Sequence, residues 1–172
     1  GGGPPGFAGN PAIDSTKTAG QMLADLGINW QGMLDGSYAQ ADFIVSQTGY
    51  PNFGTQVASN EWPLILIDQP SYQINPGGSG RGTIVAQGDL VFNGSVDWDG
   101  LVLVGGQLTS NGLQHVHGAV VTGLNTQLGQ SPSATDLGNG NWDYQYHSCN
   151  VLNALKGIGW PVEEPGTWSE VF

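Results

Sequence analysis

The chain is short of charge, and above all of positive charge. Three Lys and Arg residues stand against 14 Asp and Glu, a formal net charge of −11. A polyanion needs a basic footprint to hold it, so no nucleic acid partner is expected, and an anionic membrane surface is disfavoured on the same ground. Cysteine is nearly absent. The single Cys149 has no mate for an internal disulfide. It reads as a small buried residue at the start of a helix, the alternatives being a bond to a partner outside the chain or a thiol beside His147. Long apolar runs are missing too. Nothing approaches the roughly 18 apolar residues of a membrane-crossing helix, so no membrane insertion by this chain is expected. The opening GGGPPGFAGNP has no signal-peptide character, and the chain reads as a mature form or a soluble part of something longer.

Glycine, by contrast, is plentiful, at 29 of 172 residues, while charged residues are 10%. A surface made of Asn, Gln, Ser, Thr and Gly in place of charges points to an extracellular or surface-layer protein. The glycines are also ordered. GTIVAQGDLVFNGSVDWD, residues 82–99, lies over GLVLVGGQLTSNGLQHVH, residues 100–117, with a period of 18. LILIDQPSYQINPGGSGR, residues 64–81, precedes them in the same frame, and GAVVTG at 118–123 begins a fading fourth copy. Self-similarity at a short fixed period signals a solenoid, in which each turn buries its face against the next.

Each rung holds three short strands. The first is apolar throughout (ILID, TIVAQ, LVLVG, AVVTG), which requires burial on both faces. One face looks into the coil, and a helix from either end of the chain must cover the other. The second and third strands alternate, with Leu90, Phe92, Val96 and Trp98 inward and Asp97 and Asp99 outward. Glycines at 82, 88, 94, 100, 106, 112 and 118 mark corners where positive φ is expected. The predicted fold is mainly β: a short right-handed parallel β-solenoid of 18-residue rungs, about three to four of them, with flanking α-helices. The expected organisation is a flexible segment at 1–15 and a helical region at 16–63 that packs on or caps the solenoid. The solenoid itself occupies 64–135, and a loop, a short helix and a docking tail occupy 136–172. The spacing predicts helices over Thr16–Leu34, capped by Asp14 or Ser15 and broken at Gly27, and over residues 148–159, capped by Ser148.

The candidate site residues follow from this stacking. Asn75, Asn93 and Asn111 superpose at the 18-residue period and predict a side-chain hydrogen-bond ladder. Asp97 falls over His115 and Asp99 over His117, with Arg81 on the rung before and Thr135 on the rung after. Two carboxylates and two imidazoles could hold a divalent metal such as zinc. The plainer reading is cross-strand pairing, which needs no cofactor. Six tryptophans raise carbohydrate stacking, with Trp98 and Trp142 as candidate contacts, although most tryptophans should be core. Ser110 and Ser131 lack a His–Asp arrangement, and GGSGRG at 77–82 lacks the lysine and following helix of a phosphate loop.

The run GRGTIVAQGDLVFNGSVDWDGLVLVGG, its continuation HGAVVTG, and NPAIDST, YHSCNVLNAL and GTWSEVF elsewhere resemble the solenoid-like C-terminal region of PilX-type pilus-assembly proteins and related bacterial surface proteins. The resemblance covers about residues 10–172. It implies a minor pilin-like or surface-anchored protein with other pilus or surface subunits as partners, and it carries no catalytic residues. The expected role is that of a non-enzymatic extracellular structural or adhesive module, pilus-associated or filament-forming, with self-association through any uncapped end of the solenoid. The alternatives are a carbohydrate-binding or carbohydrate-active β-helix, or a metal-binding surface protein built on the Asp/His square.

Overall fold

The computed structural model describes residues 29–131 and 140–158. It is mainly β, a parallel solenoid of about four turns with few flanking helices. In chain order the elements are α1 (Trp30–Leu34), β1 (Phe43–Ile44), α2 (Val45–Thr48), β2 (Leu64–Ile67), β3 (Ser71–Ile74), β4 (Gly80–Ala86), β5 (Asp89–Val104) and β6 (Leu108–Val121). A 3₁₀ turn (Leu124–Leu128), β7 (Asn141–Tyr146) and α3 (Ser148–Gly157) follow. Every strand pairing is parallel. The predicted helix over Thr16–Leu34 is described only in α1; its earlier part, the capping residues Asp14 and Ser15, Gly27, Thr135 and the docking tail lie outside the described residues.

The pairing turns the repeat into columns. Ile65, Ile84, Val102 and Val120 stack in register, as do Ile74 and Phe92, and Trp98 and Val116. These side chains form one core inside the coil, in which Phe92, Trp98, Ile65 and Ile84 are fully buried. The alternate residues of the first strand set, Leu64, Leu66, Val85 and Leu103, point outward into a second core with Trp30, Met33, Leu124 and Ile158. The expected helical cover of this face is therefore shared between α1 and α3. The Trp30 indole N–H donates to Asn125 Oδ1 at 2.9 Å, and Asn125 Nδ2 donates to the Gln87 carbonyl at 2.9 Å, tying α1 to the rungs through the 3₁₀ turn.

The period is less uniform than the sequence suggests. β4, β5 and β6 keep an offset of 18, as in Gly82↔Gly100↔Gly118. β2 meets β4 one residue later, at Leu64↔Thr83, while β3 meets β5 at Ser71↔Asp89. The extra residue sits in the corner Asp68–Gln69–Pro70, which the next turn makes with Gln87–Gly88 alone. On the far side, Leu113 pairs with Asn141. A ten-residue insertion thus carries the chain out through the 3₁₀ turn before it returns as β7. The fourth copy leaves the repeat after Val121, as expected, but NWDYQY, in the stretch expected as loop, is a strand that extends the sheet past residue 135.

The corner glycines are of two kinds. Gly82, Gly94, Gly100 and Gly112 have positive φ as expected, whereas Gly88, Gly106 and Gly118 do not. At Gly118 the reason for glycine is proximity, since a Cβ there would fall on the carbonyl oxygen of Gly100 one turn below.

The end of the coil nearest β1 is closed by aromatics. Phe53 meets Trp98 edge-on with ring centroids 5.6 Å apart, and Tyr50 stacks on Tyr72 at 6.4 Å. Burial raises the Tyr50 phenol well above its ordinary range, so it stays protonated and donates to the Gly78 carbonyl at 3.0 Å. The Arg81 guanidinium reaches the Ser59 carbonyl across the same end. α3 ends beside this closure, where a side chain at Gly157 would strike the Trp62 carbonyl.

Substituting Gly118→Ala should push adjacent turns apart and cost about 1–3 kcal/mol, the usual range for overpacking. The check is denaturant unfolding of the variant against the parent. A loss below a few tenths would mean that the corners can give.

Candidate functional site

The third strand set carries the outward polar residues. Parallel register stacks Arg81, Asp99, His117 and Gln145 in one column, and Asp97, His115 and Asp143 in the next. Gln145 therefore holds the place after His117 that was expected for Thr135. Side chains on adjacent rungs are about 4.8 Å apart at their backbones, which allows pairing along each column.

The four residues of the expected square do not converge on one point. His117 Nδ1 lies 3.3 Å from Asp99 Oδ1. His115 turns the other way, to Asp143 Oδ2 at 3.5 Å. Asp97 is exposed, and its backbone N–H donates to Ser79 Oγ at 2.8 Å. Among the described residues no three His, Cys, Asp or Glu are grouped to hold a metal ion. The imidazoles are engaged with different carboxylates, so each column carries one cross-strand contact.

Asp99 also fastens a helix. Asn150 Nδ2 donates to Asp99 Oδ1 at 3.0 Å and to the His117 carbonyl at 2.9 Å. The first turn of α3 is thereby pinned to the corner where β5 and β6 bend. Its cap is His147, whose Nδ1 accepts from the Asn150 N–H at 3.4 Å. Ser148 was expected in that role, but the helix starts at Ser148 itself and the residue before it does the capping. Cys149, expected to be buried, is exposed and free.

The asparagine ladder is one step long. Asn93 Nδ2 donates to Asn75 Oδ1 at 3.4 Å, and the same oxygen takes a shorter bond, 2.7 Å, from Gln73. Asn111 continues the stack through backbone register with Asn93. Of the two tryptophans raised for carbohydrate, Trp98 is fully buried in the core and its indole N–H faces the Leu101 carbonyl. It has no surface for a ligand.

Trp142 is different. It lies on β7, the last strand of the sheet, which pairs with β6 on one side only among the described residues. Trp142 stands over the buried Gln114, Tyr144 over Val116 and Tyr146 over Gly118. The first two are core columns and the third is the column of corner glycines; no described strand covers their last member, and the rings are 39%, 36% and 75% exposed. Trp142 and Tyr144 lie 6.1 Å apart, tilted by 32°. The interior also turns polar at this end: Ser110 Oγ and Gln114 Oε1 are buried and make no hydrogen bond. Sequence reasoning passed over Asp143, Tyr144, Gln145, Tyr146 and Asn150. The signal was present, since NWDYQY repeats the inward–outward alternation of SVDWD and LQHVH, but it needs a register of 28 in place of 18.

Surface clefts add little chemistry. One of about 330 Å³ is lined by Asp42, Glu61 and Trp62. Its carboxylates are spent on backbone: Asp42 Oδ2 accepts from Leu64 N at 2.8 Å, and Glu61 Oε2 from Ala58 N at 2.9 Å. In comparisons with known proteins, no family model, curated protein or solved structure matches the chain.

Asn150→Ala should loosen α3 from the rungs and lower stability by about 1–3 kcal/mol, since two bonds go, one of them to a carboxylate. Melting curves with zinc or with EDTA should superpose on that of the untreated protein. A zinc-dependent rise that Asp99→Ala or His117→Ala abolishes would restore the metal reading.

Proposed function

We propose that this chain is a non-enzymatic structural module of the bacterial surface or extracellular space, one that works by joining surfaces in an assembly, pilus-associated or filament-forming. The observation that carries the reading is the asymmetry of the solenoid. One end is covered by Tyr50, Phe53 and Tyr72, although β1 and β3 there also pair on one side only among the described residues, and the other presents β7 with the exposed rings of Trp142, Tyr144 and Tyr146, the first two in core columns. An open strand edge is a template for another strand, and natural proteins guard such edges with lysine, proline or bulges. β7, NWDYQY, carries no lysine or proline, and its one charge is Asp143. The low surface charge and the likeness of residues 80–106 to PilX-type surface proteins support the same reading.

A second reading has its own observation. Trp142, Tyr144 and Tyr146 form a row of exposed rings beside Asp143, and the flat faces of such rings can stack on sugars. In this reading the open end binds a polysaccharide in place of a protein strand.

The deciding experiment is sedimentation velocity over a concentration series, with and without EDTA, on the parent chain and on Tyr146→Lys. Association that EDTA leaves alone and Tyr146→Lys removes supports the assembly module. A monomer at every concentration whose binding to a soluble polysaccharide is lost in Trp142→Ala would give the site to carbohydrate.

A further inference from the structure

We infer that the cleft between Tyr50–Asn52 and the Asn75–Gly78 turn, with the row of amides that leads away from it, is a binding site for a neutral oligosaccharide lying along the coil. The site is separate from β7 and does not depend on the assembly reading above.

The cleft has about 290 Å³ of space between two fixed walls. One wall has the marks of a type II turn. Pro76 takes its second position, Gly77 its third with positive φ, and the Gly78 N–H closes it on the Asn75 carbonyl at 3.0 Å. The other wall is Tyr50, Pro51 and Asn52. Asn52 is held by its own loop, its Oδ1 accepting from the Gly54 N–H at 2.8 Å and its N–H donating to Gln56 Oε1 at 2.7 Å. The Tyr50 hydroxyl ties the walls together by its bond to the Gly78 carbonyl. Tyr72, partly exposed and stacked on Tyr50, completes the lining with the buried Ile74. A ligand would meet this shape ready-made.

The chemistry selects by charge first. No lining residue is charged, in a chain that carries −11 overall. A phosphate, a carboxylate or a metal cation would find no counter-charge there. The cleft offers instead the Tyr72 hydroxyl, which makes no hydrogen bond among the described residues, and the carboxamides of Asn52, Gln73 and Asn75. A carboxamide carries donors and an acceptor in one plane, and a sugar hydroxyl is likewise both donor and acceptor. The rival neutral ligand for an aromatic cleft is a proline-rich peptide. Its prolines bring carbonyl acceptors and no N–H, which leaves the carboxamide oxygens without a partner. An aromatic ring also gives the C–H side of a pyranose a flat apolar face.

The amides continue where the cleft ends. Asn75 is followed along the coil by Asn93 and Asn111, one per turn, and beside them run Gln73, Val91 and Thr109. Neither column holds a charge. Asn111 is exposed and stands outside the one ladder bond, so its amide is available to a ligand. The rungs are about 4.8 Å apart, close to the rise of one unit in an extended pyranose chain. An oligosaccharide seated on Tyr72 therefore meets one asparagine per unit.

The test is isothermal titration of the full chain with cellohexaose, maltohexaose, laminarihexaose and chitohexaose. At least one should bind. Within that series affinity should rise from disaccharide to tetrasaccharide and then level off, because the row ends at Asn111. Tyr72→Ala should weaken binding about tenfold or more, and Tyr72→Phe, which keeps the ring and the packing, about three- to tenfold. Asn93→Leu should weaken the hexasaccharide and leave the disaccharide unchanged. Trp142→Ala should bind as the parent does. Circular dichroism checks that each variant is folded. Binding to none of the four sugars overturns the site. So does binding that Trp142→Ala removes and Tyr72→Phe leaves alone, or a preference for hexaproline over every sugar. None of these outcomes bears on self-association in the centrifuge, so failure here and failure of the assembly reading are told apart.

Discussion

Adjacent turns of this solenoid are held a strand spacing apart, about 4.8 Å, and at the corners that spacing leaves room for hydrogen alone. The carbonyl of Gly82 lies where a Cβ on Gly100 would be, and the carbonyl of Gly100 lies where one on Gly118 would be. The rest of the molecule depends on this contact. Only if the corners stack without a side chain can the columns between them align, and only aligned columns bring Ile84 onto Val102 or Trp98 onto Val116. The glycine content that looks like disorder in composition is thus the condition for a packed interior. The same stacking sets Asp99 within reach of His117, so the polar surface is a by-product of the core's register and not a separate construction.

This explains which expectations were legible in the sequence. The 18-residue repeat specified the parallel pairing of β4, β5 and β6, the inward positions of Leu90, Phe92, Val96 and Trp98, and the need for helical cover on the first strand set. Each rests on a pattern repeated in neighbouring copies, where one turn constrains the next. What was misplaced falls where the repeat changes length. The three-residue corner at Asp68–Pro70 shifts β2 by one, and the ten-residue insertion before β7 hides the last strand. With β7 hidden, the column partner of His115 is also hidden. The square of Asp97, Asp99, His115 and His117 was drawn from a correct register that stopped one turn early. Once Asp143 enters the column, His115 has a carboxylate on each side and turns to the later one.

Trp98 and Trp142 show the same limit from the side of burial. Both occupy inward columns, and sequence gives no reason to separate them. They differ in whether another turn follows. Trp98 has Val116 above it and Phe53 against its face, so it is core. Trp142 has Gln114 below it and no described strand above, so it is surface. In a solenoid the place of a turn in the stack, as much as the residue it carries, decides whether an apolar side chain is buried.

The two ends of the coil therefore ask for different explanations. An end that is finished within the chain spends residues on it: Tyr50 gives its hydroxyl to Gly78, Phe53 turns its edge to Trp98, and Arg81 crosses to Ser59. At the other end the inward columns finish in a row of rings, over an interior where Ser110 Oγ and Gln114 Oε1 have no hydrogen bond. A buried polar atom left without a partner costs about 1–3 kcal/mol, and an exposed strand edge carries a liability of its own. Neither liability is peculiar to that end, since Thr83 Oγ1 is buried without a partner beside β2, and β1 and β3 also pair on one side only among the described residues; what differs is that Tyr50, Phe53 and Tyr72 cover the first end while the rings on β7 stay exposed. That exposed aromatic row is why the joining surface is sought at β7 and not along the polar columns.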